Sequence, residues 1–401
     1  VPPEEDEAFL RVLCQGFDLE IGTARLLFLN DPYYPYNQRW GLWVQERKRP
    51  VLVSIATAIP LQFWMRGRVV DSYGIAGVTT LHEYRRRGLA HQLLRAIVRT
   101  MYNEAVPGLT LQAFDHEFYR KLDWETVGTL TRLRLSPSHL PAFLTQGVRT
   151  MQEGDPEAVF RLCETTLPLE TGRLVRDELR WNYMLWNYRN KWVYEHQGHI
   201  EGYLLYDFLE EGWVLRVREL VWSTERARRA LIGWLASNRE RVRQIEFAGT
   251  LADLQPILQH LTPALGTAPE RPIASLERVP GLMWRTTHPE AMLRALLEGL
   301  PAPEPFLPLI LVISDPLFPE SPWRLELTAP DGLIQVSAQQ GDTRAHQVWL
   351  SSRAFSLLVW GSEEPHALWT RKLLRAEESA LPVLEALFPP QEVCLRLSDY
   401  F

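Results

Sequence analysis

The sequence predicts an α+β protein of three consecutive domains, residues 1–137, 138–284 and 285–401, the second repeating the element order of the first. Three observations carry this. The chain has 401 residues, of which 46% are hydrophobic, enough for two or three separate cores. Strands of alternating polarity surround one strongly amphipathic helix between Trp43 and Leu135. A similar order returns more weakly between Val148 and Asn238, the pattern that tandem duplication leaves.

In the first domain, Trp43 to Gln45 and Val51 to Ile59 read as strands around Lys48-Arg49-Pro50. Val69 to Thr80 follows Arg66-Gly67-Arg68 as a third strand. From Arg87 the period changes: Leu89, Leu93, Leu94, Ile97, Val98 and Met101 fall on one helical face that ends before Pro107-Gly108. Thr110 to Phe114 and Thr126 to Leu135 read as strands, and Ser136 to Pro141 as a linker. In the second domain, Asp155 to Leu162 reads as a helix, with Trp192 to Glu195 and Ile200 to Tyr206 forming a hairpin about Gln197-Gly198. Val214 to Trp222 is a strand, and Ser223-Thr224-Glu225 caps a helix reaching about Asn238. Pro269 to Pro280 reads as a crossing to the third domain. That domain combines a helix at Met292 to Leu300 with strands at Leu309 to Ile313, Trp323 to Thr328 and Leu333 to Ser337. Helices at Arg353 to Trp360 and Ala367 to Leu374 follow, and Val393, Leu395 and Leu397 close the chain in an alternating strand pattern.

Composition narrows the function. A net charge of −6 argues against nucleic acid as partner and suits a cationic one. No apolar run approaches the roughly 20 residues of a membrane span, and the acidic start is no signal peptide. Cys14, Cys163 and Cys394 are too few for a disulfide framework or a zinc site, so a cytoplasmic setting is expected. His196 and His199 alone approach ligand spacing, at a hairpin turn, and no metal is expected.

The most informative segment is Val78-Thr79-Thr80-Leu81-His82-Glu83-Tyr84-Arg85-Arg86-Arg87-Gly88-Leu89-Ala90, a strand passing through a turn into a helix. A diphosphate is held well by unpaired N–H groups at a helix N-terminus. Gly88 admits close approach, Ala90 keeps the contact surface small, and Arg85, Arg86 and Arg87 supply charge. The segment resembles the R-x-x-G-x-A signature of the GCN5-related N-acetyltransferases (GNAT), with Arg85, Gly88 and Ala90 at its three fixed positions. The resemblance implies that this turn and Leu89 bind acetyl-CoA while Val78, Thr79 and Thr80 pair with its pantetheine arm.

Further on, Phe118-Tyr119-Arg120-Lys121-Leu122-Asp123-Trp124 places a phenol near a short helix. Tyr119 reads either as a packing aromatic or as an acid able to protonate a thiolate. The terminus Asp399-Tyr400-Phe401 reads either as a sheet running to the last residue or as a docked aromatic whose α-carboxylate is fixed in place. Together these features resemble the enhanced intracellular survival (Eis) family. That likeness implies tandem GNAT-like αβ domains, the second degenerate, followed by a sterol-carrier-protein-like α/β domain. It gives Tyr119 the role of general acid and the Phe401 carboxylate that of general base, and it implies a homo-hexamer. Leu122 and Asp123 depart from the family's Phe and Gly. Asp18 is placed like an acidic residue of the substrate pocket, and Asp399 is taken with it as a substrate-binding candidate.

The activity expected is transfer of acetyl from acetyl-CoA to an amine of an aminoglycoside, a polyamine or a lysine peptide. The alternatives are a lipid or acyl carrier and a non-catalytic acetyl-CoA-binding protein. The second domain carries Ser223-Thr224-Glu225-Arg226-Ala227-Arg228-Arg229 at the corresponding turn. Lacking the glycine, it is expected not to bind acetyl-CoA.

Overall fold

A computed structural model describes residues 1–29, 38–46, 49–167, 170–261, 274–338 and 345–399. The chain forms two compact units, one of residues 1–128 and 281–393, the other of 129–280 and 394–400.

The first unit opens with two helices that the sequence pattern did not announce, α1 (Asp6–Phe17) and α2 (Ile21–Phe28). Phe9, Leu10, Val12 and Leu13 share one face of α1 and pack with Leu52, Val53, Ile55 and Leu81. Each such buried side chain contributes about 1.5–3 kcal/mol. Strands β1 (Gln38–Glu46), β2 (Arg49–Met65) and β3 (Arg68–Thr80) are antiparallel. The β2–β3 turn pairs Met65 with Arg68 across Arg66 and Gly67, both with positive φ, as a two-residue hairpin requires. Helix α3 (Leu89–Asn103) buries the expected stripe of Leu93, Leu94, Ile97, Val98 and Met101. Strand β4 (Gly108–Gln112) then lies parallel to β3, and α4 (His116–Arg120) follows it.

Beyond α4 the structure corrects two expectations. The single strand over Thr126 to Leu135 is broken: Glu125–Thr126 lies in the first sheet and Thr129–Leu135 in a sheet of the second unit. At the break, the N–H groups of Val127 and Gly128 both donate to the Leu282 carbonyl, at 3.0 and 3.2 Å. Nor is the proline-rich stretch simply a crossing. Ala274–Pro280 pairs antiparallel with Thr129–Leu135, and Leu282–Thr286 enters the first sheet between β4 and Glu125–Thr126. The remainder of the first unit carries a five-stranded sheet in which Leu309–Ser314 lies between Trp323–Thr328 and His346–Ser351, backed by the helix Ser352–Trp360. Within this unit Arg285 and Asp315 form a fully buried ion pair at 2.6 Å. Phe63, Trp284 and Trp360 meet edge to face, with centroids 5.0 to 6.3 Å apart. The helix expected over Ala367 to Leu374 stops at Thr370, and Leu374–Arg375 is a short strand.

The second unit is a seven-stranded sheet, mostly antiparallel, with one parallel pair between Val214–Trp222 and Gln244–Gly249. The hairpin Asn190–His196 with His199–Leu209 and the helix Glu225–Ser237 stand where expected. The helix Glu178–Asn187 was not foreseen. The terminal segment is not a strand: Val393, Cys394, Leu395 and Leu397 are all buried, and Leu397–Asp399 is a single 3-10 turn.

Candidate active site

The site is built where β3 and β4 part. They pair in parallel only from Ser72 to Gly74, opposite Gly108 to Thr110, so β3 beyond Gly74 has no strand partner on that side among the described residues. A bulge turns this free edge. Against β2, Ile55 faces Thr79 and Thr57 faces Ala76, which sets Ala56 against both Gly77 and Val78. Gly77 takes the positive φ, 62°, that the bulge requires. Leu81 donates its N–H to the Val53 carbonyl at 2.9 Å. Strand alternation therefore turns the amides of Thr79 toward β2 and those of Val78 and Thr80 toward the open side.

The chain then turns into α3. Arg86 and Gly88 have φ of 62° and 74°, and Gly88 is the N-cap. No side chain caps the helix, and the first acceptor bond inside it runs from Gln92 N–H to the Gly88 carbonyl at 3.0 Å. The N–H groups of Leu89, Ala90 and His91 are thus the orphan donors of a helix start, at the positive end of its dipole. A Cβ at Gly88 would meet no protein atom within 4 Å. The glycine faces open space rather than a packed neighbour, and it is the left-handed turn that requires it.

These pieces enclose a cavity of about 760 Å3, lined by Val78, Thr79, Thr80, Arg85, Arg86, Gly88, Leu89 and Ala90. Of the expected coenzyme residues only Arg87 lies outside it. Its guanidinium sits 4.9 Å from the Tyr84 ring centroid and donates to the Glu83 carbonyl at 3.0 Å. Arg85 donates Nε to the Thr80 carbonyl at 3.1 Å, which steadies the turn and leaves its other donors outward. Gly16, Phe17, Tyr84, His91, Phe114 and Phe118 complete the lining. Sequence reasoning did not select these six. The exposure of Phe17 (49%) and Phe114 (75%) arises from tertiary placement and has no local signal.

Tyr119 does not line the cavity. It is 3% exposed and sits behind Phe114 and Phe118, with ring centroids 5.7 and 5.0 Å away, and against Trp124. Burial, helped by the Asp115 carboxylate, pushes its pKa well above the ordinary phenol value, so the hydroxyl keeps its proton. Asp18 is exposed and ends α1 in a left-handed conformation, beside the cavity residues Gly16 and Phe17. Asp399 is buried in the second unit, where Oδ1 accepts from Arg176 Nε at 2.6 Å while the Arg176 guanidinium also pairs with Glu219. Phe401 lies outside the described residues. No group of three potential metal ligands occurs among the described residues.

The second unit repeats this geometry and closes it. Its parallel strands pair only from Val214 to Arg216 with Gln244 to Glu246 and leave a smaller cavity of about 370 Å3 between them. The helix start is already filled: Thr224 Oγ1 accepts from Ala227 N–H at 3.2 Å and donates to Glu201 at 2.7 Å. Arg226 and Arg228 are paired with Glu201 and Glu225. A diphosphate arriving there would meet carboxylates and a satisfied cap.

Residues 1–127 match an acetyltransferase (GNAT) domain model, and residues 172–273 match a second model of the same description. A search of curated proteins gives no match. Solved structures of the same fold span nearly the whole chain. A GCN5-related N-acetyltransferase from Anabaena variabilis is 17% identical with a TM-score of 0.80, covering 100% of this chain and 98% of its own. One from Kribbella flavida is 23% identical with a TM-score of 0.75, over 100% and 97%. Eis1 from Mycobacterium abscessus is 18% identical with a TM-score of 0.69, over 99% and 97%. GNAT domains use acetyl-CoA as co-substrate, and an uncapped helix start beside a free strand edge is the geometry such a donor needs. The chain is an N-acetyltransferase of the GCN5-related superfamily, built on two GNAT domains and resembling the Eis proteins.

Proposed function

We propose that the protein acetylates an amine of a cationic small molecule, an aminoglycoside or polyamine, or of a lysine-containing peptide, by direct transfer from acetyl-CoA in a ternary complex. The observation that carries the reading is the coincidence of an uncapped α3 N-terminus, two cavity-lining arginines and the outward N–H groups of Val78 and Thr80 around one cavity. In this reading the diphosphate lies over Arg85 to Ala90 and the pantetheine arm follows β3. The Val78 N–H steadies the oxyanion as the amine nitrogen attacks the thioester carbonyl. Collapse of that intermediate breaks the C–S bond, and Tyr119 gives its proton to the departing thiolate.

Free amines with a pKa near 10 arrive as ammonium ions, so a base must take one proton first. We assign that role to the α-carboxylate of Phe401, with Asp18 gathering the cation. The five-stranded sheet around Leu309–Ser314 is assigned to a sterol-carrier-protein-like domain. A cytoplasmic homo-hexamer completes the proposal.

The test is thiol release from acetyl-CoA with a panel of aminoglycosides, polyamines and lysine peptides, using the untagged protein and one extended by a C-terminal tag. Amine-dependent release that falls steeply on tagging, with CoA affinity retained, is the expected result. Release without any amine, or an unimpaired tagged enzyme, overturns the donor–acceptor scheme or the terminal base respectively.

A further inference from the structure

Two of the large apolar side chains that the chain leaves exposed, Phe17 (49%) and Phe114 (75%), line the same cavity. A single exposed ring is ordinary, whereas rings brought by separate elements to one cavity mark a surface that a ligand covers. Each is set there by the fold. Phe17 ends α1, and the neighbouring Gly16 lets that helix settle on β3, since a Cβ at Gly16 would overlap the Thr79 side chain. Phe114 lies two residues beyond β4, its ring centroid 5.7 Å from those of Phe118 and Tyr119, the latter edge to face at 72°. One side of that ring is thus propped while most of it stays open to water. Both rings stand outside the buried cores of this region, so packing does not account for either. Each is followed by an aspartate. Asp18 is exposed at the end of α1, and the Asp115 carboxylate caps α4 by accepting from the N–H groups of Glu117 and Phe118 at 2.9 and 3.3 Å.

We infer that Phe17 and Phe114 select the acceptor, favouring a small molecule whose amine is carried on an apolar body, an alkylamine or arylalkylamine. The inference rests on the acetyl-transfer reading above and narrows its acceptor. In that reading the donor occupies β3 and the start of α3. The two rings belong to neither segment, which leaves them for the molecule that lies beside the donor. An apolar body laid on phenyl faces removes both surfaces from water, and an ammonium near a ring gains from its negative face. The hydroxyl groups of an aminoglycoside laid there would give up water and gain no hydrogen bond in exchange. Asp18, next to Phe17, supplies the negative charge that gathers the ammonium end.

The test compares kcat/KM for hexylamine and phenethylamine with that for ethanolamine, spermidine and kanamycin, in the wild type and in Phe17→Ser, Phe114→Ser and Phe114→Leu. Calorimetry of CoA, and of phenethylamine on the CoA-loaded protein, is read alongside. The expected result is a preference for the apolar amines that falls about tenfold in each serine variant, the scale of a lost apolar contact in a pocket. The fall comes through KM rather than kcat, and Phe114→Leu recovers most of it. Equal or better use of kanamycin or spermidine by the wild type would overturn the inference, as would a preference that neither serine moves. CoA binding weakened in step with the amine would assign the rings to the donor and overturn it too. A protein that released no thiol from acetyl-CoA with any amine, yet bound phenethylamine through these rings, would sink the transfer reading and leave this one standing. Neither release nor such binding would end both.

Discussion

Replacing Gly88 with alanine separates a folding cost from a binding cost, because the structure makes the first small and the second large. A Cβ at this position meets no protein atom within 4 Å, so the folded chain bears only the strain of an L-residue at φ 74°. That strain amounts to about 1–2 kcal/mol, a melting shift of a few degrees for a domain of this size. The added methyl nevertheless projects into open space at the cavity beside this helix start, where the diphosphate is proposed to rest. Losing two hydrogen bonds to a charged group costs on the order of 3–6 kcal/mol, so CoA affinity should fall by at least about a hundredfold. Gly198→Ala is the matched control, since Gly198 has φ 77° and equally open surroundings but sits in a hairpin turn of the other unit. Calorimetry with CoA and thermal melts of both variants should show similar small losses of stability and a binding defect confined to Gly88→Ala. If Gly88→Ala bound CoA within threefold of wild type, the diphosphate would not lie on this turn.

Three further outcomes follow from the same geometry. Tyr119→Phe should lower kcat by about a hundredfold, the scale of a lost general acid, with KM for acetyl-CoA unchanged; an undiminished kcat would return Tyr119 to a purely packing role. Arg176→Met leaves Glu219 and Asp399 as buried carboxylates deprived of their shared partner and should cost about 3–5 kcal/mol in urea unfolding. A loss under 1 kcal/mol would mean that the cluster rearranges or takes up protons. The Arg226 hydrogen bond, more than any other cause, holds the Glu201 carboxyl down to about 2. Its folded pKa lies below the unfolded value, so its stabilisation is complete above the ordinary carboxylate pKa near 4.5 and is lost as pH falls toward 2. Glu201→Gln should flatten stability against pH in that window, and an unchanged slope would show that the pair contributes nothing there.

What the sequence made legible was local in origin. α3 could be read because six apolar residues recur at helical spacing, and the coenzyme turn because Gly88 follows three arginines at the end of a strand. α1 escaped because it begins at Asp6 with no capping side-chain bond, leaving no start signal, and α2 because Gly22 and Thr23 dilute a short apolar run. The change of sheet at Val127 and Gly128 is invisible in an alternating stretch, since its cause is the Leu282 carbonyl more than 150 residues away. Leu282–Thr286, buried at every position, shows no period for the same reason: both its edges and both its faces are covered. At the site, backbone-defined positions were found, while His91, Phe114 and Phe118 acquire their place only from how α3 and α4 meet. Arg87 was included by its neighbours, but the Tyr84 ring one turn back holds it away.

The two GNAT copies differ at the start of the helix that follows the splayed strand. In the second unit, Thr224 caps the helix Glu225–Ser237 and Glu201 completes the cap. Such a cap contributes about 1 kcal/mol, and the arginines that follow are neutralised by carboxylates. In the first unit, Gly88 offers no cap and the helix start carries no acidic residue, so the donors stay unsatisfied and Arg85 and Arg86 remain at the cavity. The free energy forgone at Gly88 is recoverable only when an anion arrives, which makes the first copy less stable on its own and selective for a phosphate-bearing ligand. The second copy gains that stability from its own chain, through Thr224 and Glu201. Degeneracy here means a helix start satisfied by its own chain, and it requires no change in the splayed strands below, which both units retain.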